Sequence, residues 1–92
     1  MSNADLIAIT EAIGALDECD YEMGSAWEVA HDLAQAHEGE AMFDWLHALL
    51  HRIEGDANNA TYWYHKAKKP EFAGSFEEEA KAMLAELKQD TD

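Results

Sequence analysis

His47 and His51 stand four residues apart, a spacing that puts two imidazoles one turn apart on the same face of a helix. Two imidazoles so placed can share a transition-metal ion. A third ligand can come from the earlier Glu28-x2-His31 pair or from His65, giving a site on His31, His47 and His51 of the kind helical bundles build from facing helices. Asp44 and Glu54 extend the set along the same flank at i, i+3, i+7 and i+10. A di-iron carboxylate centre needs a second Glu-x-x-His motif and further glutamates on long helices, and that set is incomplete here. Without a metal, His47 and His51 would be semi-buried residues bonded to Asp44, Glu54 or a backbone carbonyl, with acid–base work a third use. Twenty carboxylates make any one pair uninformative as a glycosidase or protease signature. Cys19 lies in an acidic stretch and is a weak nucleophile candidate. The residues call for no catalytic set and no cofactor, and the chain reads more readily as a binding protein than as an enzyme.

A second concentration of unusual residues runs through HRIEGDANNATYWYHKAKKP, positions 51–70, and holds four of the six basic residues: Arg52, Lys66, Lys68 and Lys69. Tyr62, Trp63 and Tyr64 cannot all face one core, because consecutive helical residues are about 100° apart. With Ala60, Trp63 and Tyr64 inward, Tyr62 falls near His65, close to the basic residues. An exposed aromatic beside cations suits a protein-interface anchor. The leading reading is therefore a helical protein-interaction module using Arg52, Asn59, Tyr62, His65, Lys66, Lys68 and Lys69. A pocket for a small molecule where His47, His51, Asn59 and Tyr62 converge is a further alternative. Arg52, set among carboxylates, is expected in a bidentate ion pair or as a carboxylate reader.

The 92 residues fit one domain, 1–92, and an apolar fraction of 48% is enough for a folded core despite a net charge of −14. The charge is uneven: residues 1–51 carry eleven Asp and Glu and no Lys or Arg, and residues 71–92 are again net negative. Such a field repels phosphate backbones and anionic headgroups, so nucleic acid and membrane are poor partners. The acidity keeps a small protein soluble, reflects a salty habitat, or addresses a basic partner. A single cysteine forms no internal disulfide, and neither a signal peptide nor an 18-residue apolar run is present, which points to a soluble cytoplasmic protein.

Every apolar pattern has helical period, so the fold class is all-α with about five helices. Leu6, Ile9, Ile13 and Leu16 predict a helix over 3–18. Ser25 is placed to cap a helix over 26–37, and Gly39 breaks the chain. Phe43, Leu46, Leu50 and Ile53 make the stripe of a helix over 40–54, with Gly55 just past its end at positive φ. Asp56 caps a helix over 57–68, which Pro70 closes, and Ser75-Phe76-Glu77-Glu78 is a capping box opening a helix over 76–89. The short link at Gly55-Asp56 makes the third and fourth helices an antiparallel hairpin.

That hairpin resembles a tetratricopeptide unit: Ala48 takes the small position of the first helix, Gly55 the turn, Ala60 and Tyr64 the Ala-x3-aromatic pair, and Ala67 the later small position. It departs at His47 and His51, where the pattern has Leu and Tyr, and Pro70 comes about two residues early. Trp27-x2-Ala30-His31-x2-Ala34 is only a faint second copy, so a full repeat array is not expected. The run His51-Arg52-Ile53-Glu54-Gly55-Asp56, then Asn59-Ala60 and Tyr62-Trp63-Tyr64, also resembles a group of short uncharacterised bacterial proteins carrying HRIEGD and NAxYWY at this spacing. That resemblance implies a shared helical fold and a shared site, and names no reaction.

Overall fold

Five helices account for most of residues 1–89, which the computed structural model describes: α1 (Asn3–Glu18), α2 (Ser25–Ala36), α3 (Ala41–Glu54), α4 (Ala57–Ala67) and α5 (Phe76–Gln89). No strand occurs among the described residues, as the helical period of the apolar pattern requires. The Ser2 hydroxyl caps α1 by accepting the Asp5 N–H at 3.1 Å, and Ile9, Ile13 and Leu16 are buried. In α2 the cap is Gly24, not Ser25. Gly24 sits at φ 156°, a backbone open to glycine, and its carbonyl accepts the Glu28 N–H at 3.0 Å, so the helix starts one residue earlier than the Ser25 cap implied.

The turn between α3 and α4 forms as its sequence predicts. Gly55 takes the left-handed conformation at φ 87°, the Gly55 N–H bonds Arg52 O at 3.0 Å and the Asp56 N–H bonds His51 O at 2.9 Å, the paired bonds of a Schellman ending. The Asp56 carboxylate then accepts the Asn59 N–H and starts α4 within two residues. Helix α4 ends by the same device, but on Lys68 at φ 59°, with Lys68 N–H to His65 O and Lys69 N–H to Tyr64 O. A side chain in that region costs on the order of 1 kcal/mol, so Lys68→Gly should raise the urea-unfolding free energy by about 0.5–1 kcal/mol. An unchanged or lowered value would show that the lysine's favourable place at the helix C-terminus outweighs the strain. The capping box of α5 is complete: Ser75 N–H bonds Glu78 Oε1 at 2.8 Å and Glu78 N–H bonds Ser75 Oγ at 3.0 Å.

Helix α3 is the centre of the molecule. It packs most extensively on α4 and also against α2 and α5, while α1 lies against α2 and α5. Ten consecutive residues, Met42 to His51, are buried in consequence, which exceeds the single stripe of Phe43, Leu46, Leu50 and Ile53 that its sequence suggested, and Ile53 itself is only partly buried. A helix surrounded on several sides buries its polar residues too. Asp44 is one, its carboxylate turned back to accept the Gly39 N–H at 3.1 Å.

Glu79 is the other extreme. Its carboxylate is fully buried and accepts from Trp45 Nε1 at 2.8 Å on α3, from the Tyr64 hydroxyl at 2.5 Å on α4 and from Arg52 Nη1 at 2.5 Å on α3. Arg52 Nη2 donates to Gly74 O at 2.7 Å, and its guanidinium stands 5.0 Å from the Phe76 ring centroid. Burial pushes the Tyr64 hydroxyl well above its ordinary pKa, and its bond to Glu79 adds to this, so Tyr64 remains a donor. The network clamps α3, α4 and α5 together.

Candidate metal centre between the second and third helices

The two helices meet through Trp27, whose indole N–H donates to the Leu50 carbonyl at 2.8 Å. One turn further along α2, His31 lies against the Trp27 indole, rings 4.7 Å apart and within 10° of parallel. On α3, His47 is stacked between the Trp63 indole of α4, at 3.8 Å and 13°, and the His51 ring, at 4.9 Å and 24°. Two tryptophans thus hold two of the histidines in fixed planes, and the third leans on the second.

These planes bring the ring nitrogens together. His31 Nε2 and His47 Nε2 are 3.1 Å apart, and one nitrogen from each of His31, His47 and His51 lies within 4.8 Å of the others. Tetrahedral zinc with Zn–N bonds of about 2.0–2.1 Å sets its ligand atoms roughly 3.3–3.4 Å apart, so one edge of the site is nearly formed and the others exceed it by at most about one bond length. His51 Nδ1 is 2.8 Å from Glu54 Oε1; a carboxylate accepts only, so Nδ1 carries a hydrogen and Nε2 is the nitrogen available to a metal. A carboxylate behind a histidine is the usual outer contact that fixes a ligand's tautomer.

His47 is the costly member. It is 2% exposed, and its Nδ1 has no hydrogen-bond partner. Whichever ring donates across the His31–His47 contact, His47 keeps either a buried bare lone pair or a buried N–H at Nδ1. Burial pushes its pKa down to about 4, with His31 and His51 adding to the effect, and burial followed by the charge of His51 also lowers that of His31. Both rings are neutral at pH 7, the form that binds metal. In the metal-free protein the folded His47 refuses a proton that the unfolded chain accepts at 6.5. Its contribution is thus fully present above pH 6.5 and is lost as pH falls toward 4, on the order of 3 kcal/mol in all. Urea unfolding in chelator at pH 7, 5 and 4 should show this loss, and His47→Phe should flatten it; equal slopes for the two proteins would remove His47 as the cause.

Of the other candidate ligands, Glu54 joins the cluster through His51, whereas Asp44 serves as a helix-start acceptor and Glu28 and His65 are exposed. His47 bonds neither Asp44 nor Glu54. The walls, Trp27 and Trp63, were not among the candidates; Trp27 lies at i and i+4 to His31, the same one-turn spacing that marks His47 and His51.

The basic and aromatic residues do not point one way. Arg52 turns inward to Glu79, Lys66 pairs with Glu38 at 3.0 Å, and Lys69 pairs with Glu86 while its Nζ stands 5.0 Å from the Trp45 ring. The Asn59 amide donates to Asp56 Oδ2 at 2.8 Å. Tyr62, 55% exposed, faces outward as the 100° rule required, and His65 and Lys68 are exposed beside it in α4 and at its end. No described helix is long and apolar enough to cross a membrane. No protein-family model, curated protein or solved structure matches the chain, which leaves the geometry of its sites as the basis for assigning function.

Proposed function

We propose that the protein binds a transition-metal ion of the zinc class through His31, His47 and His51, with Glu54 orienting His51. The observation that carries this reading is the convergence of three imidazole nitrogens within 4.8 Å, between two indole walls. Imidazole donors suit zinc, copper and nickel, and three protein ligands leave a fourth position for water or a substrate atom. His31 is the partly exposed member of the three. The strongly negative chain concentrates cations around the site.

Protein purified without an affinity tag and stripped with chelator should take up one equivalent of zinc at this site by calorimetry. At free zinc about 100-fold above Kd the fold should gain roughly 2.7 kcal/mol. His47→Phe keeps the stack on Trp63 and removes the orphaned nitrogen, so it should abolish that equivalent while metal-free stability is unchanged or rises by about 1 kcal/mol. Retention of the full stoichiometry and affinity in His47→Phe would refute the assignment.

A protein-interaction surface around Tyr62 is the second reading, supported by the exposure of its ring and by Lys66 Nζ at 5.8 Å from the ring centroid. Tyr62→Ala with Lys68→Glu should reduce capture of native partners from cell extract; undiminished capture by the folded variant would remove it. The tetratricopeptide-like reading of α3 and α4 is supported by the burial of Ala48, Ala60, Tyr64 and Ala67 and by the left-handed Gly55.

A further inference from the structure

His37, which ends α2, lies flat against the Phe43 ring of α3, centroids 4.1 Å apart and planes within 15°. Its two nitrogens face two acceptors. Nδ1 is 3.1 Å from the Leu33 carbonyl oxygen, which can only accept, so Nδ1 holds a hydrogen. Nε2 is 3.1 Å from Asp5 Oδ1 at the start of α1, and that oxygen accepts only as well. A neutral ring would set its lone pair against a carboxylate, so this contact calls for a positive charge between the two atoms. The Glu40 carboxylate, at the start of α3, brings a third donor, with one ligand atom each from Asp5, His37 and Glu40 within 4.8 Å of the others.

We propose that Asp5, His37 and Glu40 form a second divalent-cation site, separate from the three-histidine cluster, which ties the start of α1 to the corner between α2 and α3. The Nδ1–H bond to a backbone carbonyl is the outer contact that a metal-ligating histidine carries, and the Phe43 stack fixes the plane of the ring. Ligands about 2.1 Å from an octahedral ion stand about 3.0 Å apart when adjacent, close to the observed N···O separation. One nitrogen and two carboxylates make a harder donor set than three imidazoles and suit manganese and its neighbours. The place favours a cation twice over: His37 caps the C-terminal end of α2, and residues 1–51 hold eleven carboxylates and no Lys or Arg. Asp5 and His37 remain about a quarter exposed, so water can complete the coordination and the ion can exchange.

The assignment is independent of the three-histidine reading and is tested with a different probe. Manganese(II) titrated into the full chain, with free ion counted by electron paramagnetic resonance, should show one saturable equivalent. Sub-stoichiometric manganese should broaden the ring resonances of His37 before those of His31, His47 and His51. His37→Gln, which can still bond Leu33 and Asp5, and Glu40→Gln should each weaken binding at least tenfold with the thermal melt retained, while His47→Phe leaves it unchanged. Wild-type affinity in His37→Gln, first broadening at the other histidines, or no saturable manganese in the wild type would overturn the proposal, the last meaning that a proton alone bridges His37 and Asp5.

Discussion

Glu79→Ala is expected to destabilise the protein by about 3–5 kcal/mol, the range for breaking a buried ion pair by removing one partner. The loss is large because one carboxylate serves three donors on two helices. Without it the Tyr64 hydroxyl and the Trp45 indole N–H are left under a helix with no acceptor, each adding its own desolvation penalty, and the Arg52 guanidinium loses its counter-charge and keeps only the Gly74 carbonyl. A domain of this size holds roughly 5–14 kcal/mol in total, so the variant should sit near the edge of folding at 25 °C. Arg52→Ala should cost less: its side chain is about one fifth exposed, and Glu79 keeps Trp45 and Tyr64. Glu79→Gln should fall between, since the amide oxygen still accepts but the charge that answers Arg52 is gone. Urea unfolding orders the three, and a Glu79→Ala midpoint equal to wild type would mean that the network adds specificity without stability.

That network also marks where sequence reasoning stops. Ser75 and Glu78, Asp56 and Gly55 announce helix boundaries because capping is local: donor and acceptor are two to four residues apart, and the residue types are few. Glu79 sits in the acidic first turn of α5 beside Glu77 and Glu78 and has the same local signature as its exposed neighbours. Only the packing of α5 on α3 turns it inward, against the rule that an unpaired carboxylate stays in water. Arg52 was legible as half of an ion pair, but its partner, 27 residues away, was not, and the pair is single rather than bidentate, because the second guanidinium nitrogen bonds Gly74 O. The expectation of one apolar stripe on α3 failed for the same reason, since the number of helices around it is a property of the whole fold.

The metal candidate divides along the same line. His47 and His51 could be read from one-turn spacing because helical period alone places them, and His31 only as one of several third ligands that the neighbouring helices offer. What period cannot supply is the choice among Glu28, His31 and His65, which depends on how α2 and α4 are rotated about α3. The indole N–H of Trp27 on Leu50 sets that rotation for α2. His37 and Asp5 lie 32 residues apart with no shared local motif, and nothing in the sequence joins them.

Trp63→Ala should cost about 3–5 kcal/mol, the range for emptying a buried indole site. Trp63 is only 9% exposed, its ring carries His47 on one face, and it fills the contact between α3 and α4, the most extensive in the molecule. Its second effect separates packing from binding. With the wall gone, the His47 ring can rotate away from His31, so the folded fraction should bind zinc more weakly, by at least tenfold, if the three-histidine reading is right. Trp63→Phe keeps a flat apolar ring against His47 and should lose only about 1–2 kcal/mol with zinc affinity within a few-fold of wild type. A melt of Trp63→Ala unchanged from wild type would make the indole a surface anchor, whereas a destabilised protein with full zinc affinity would show that His31 and His51 hold His47 in place without it.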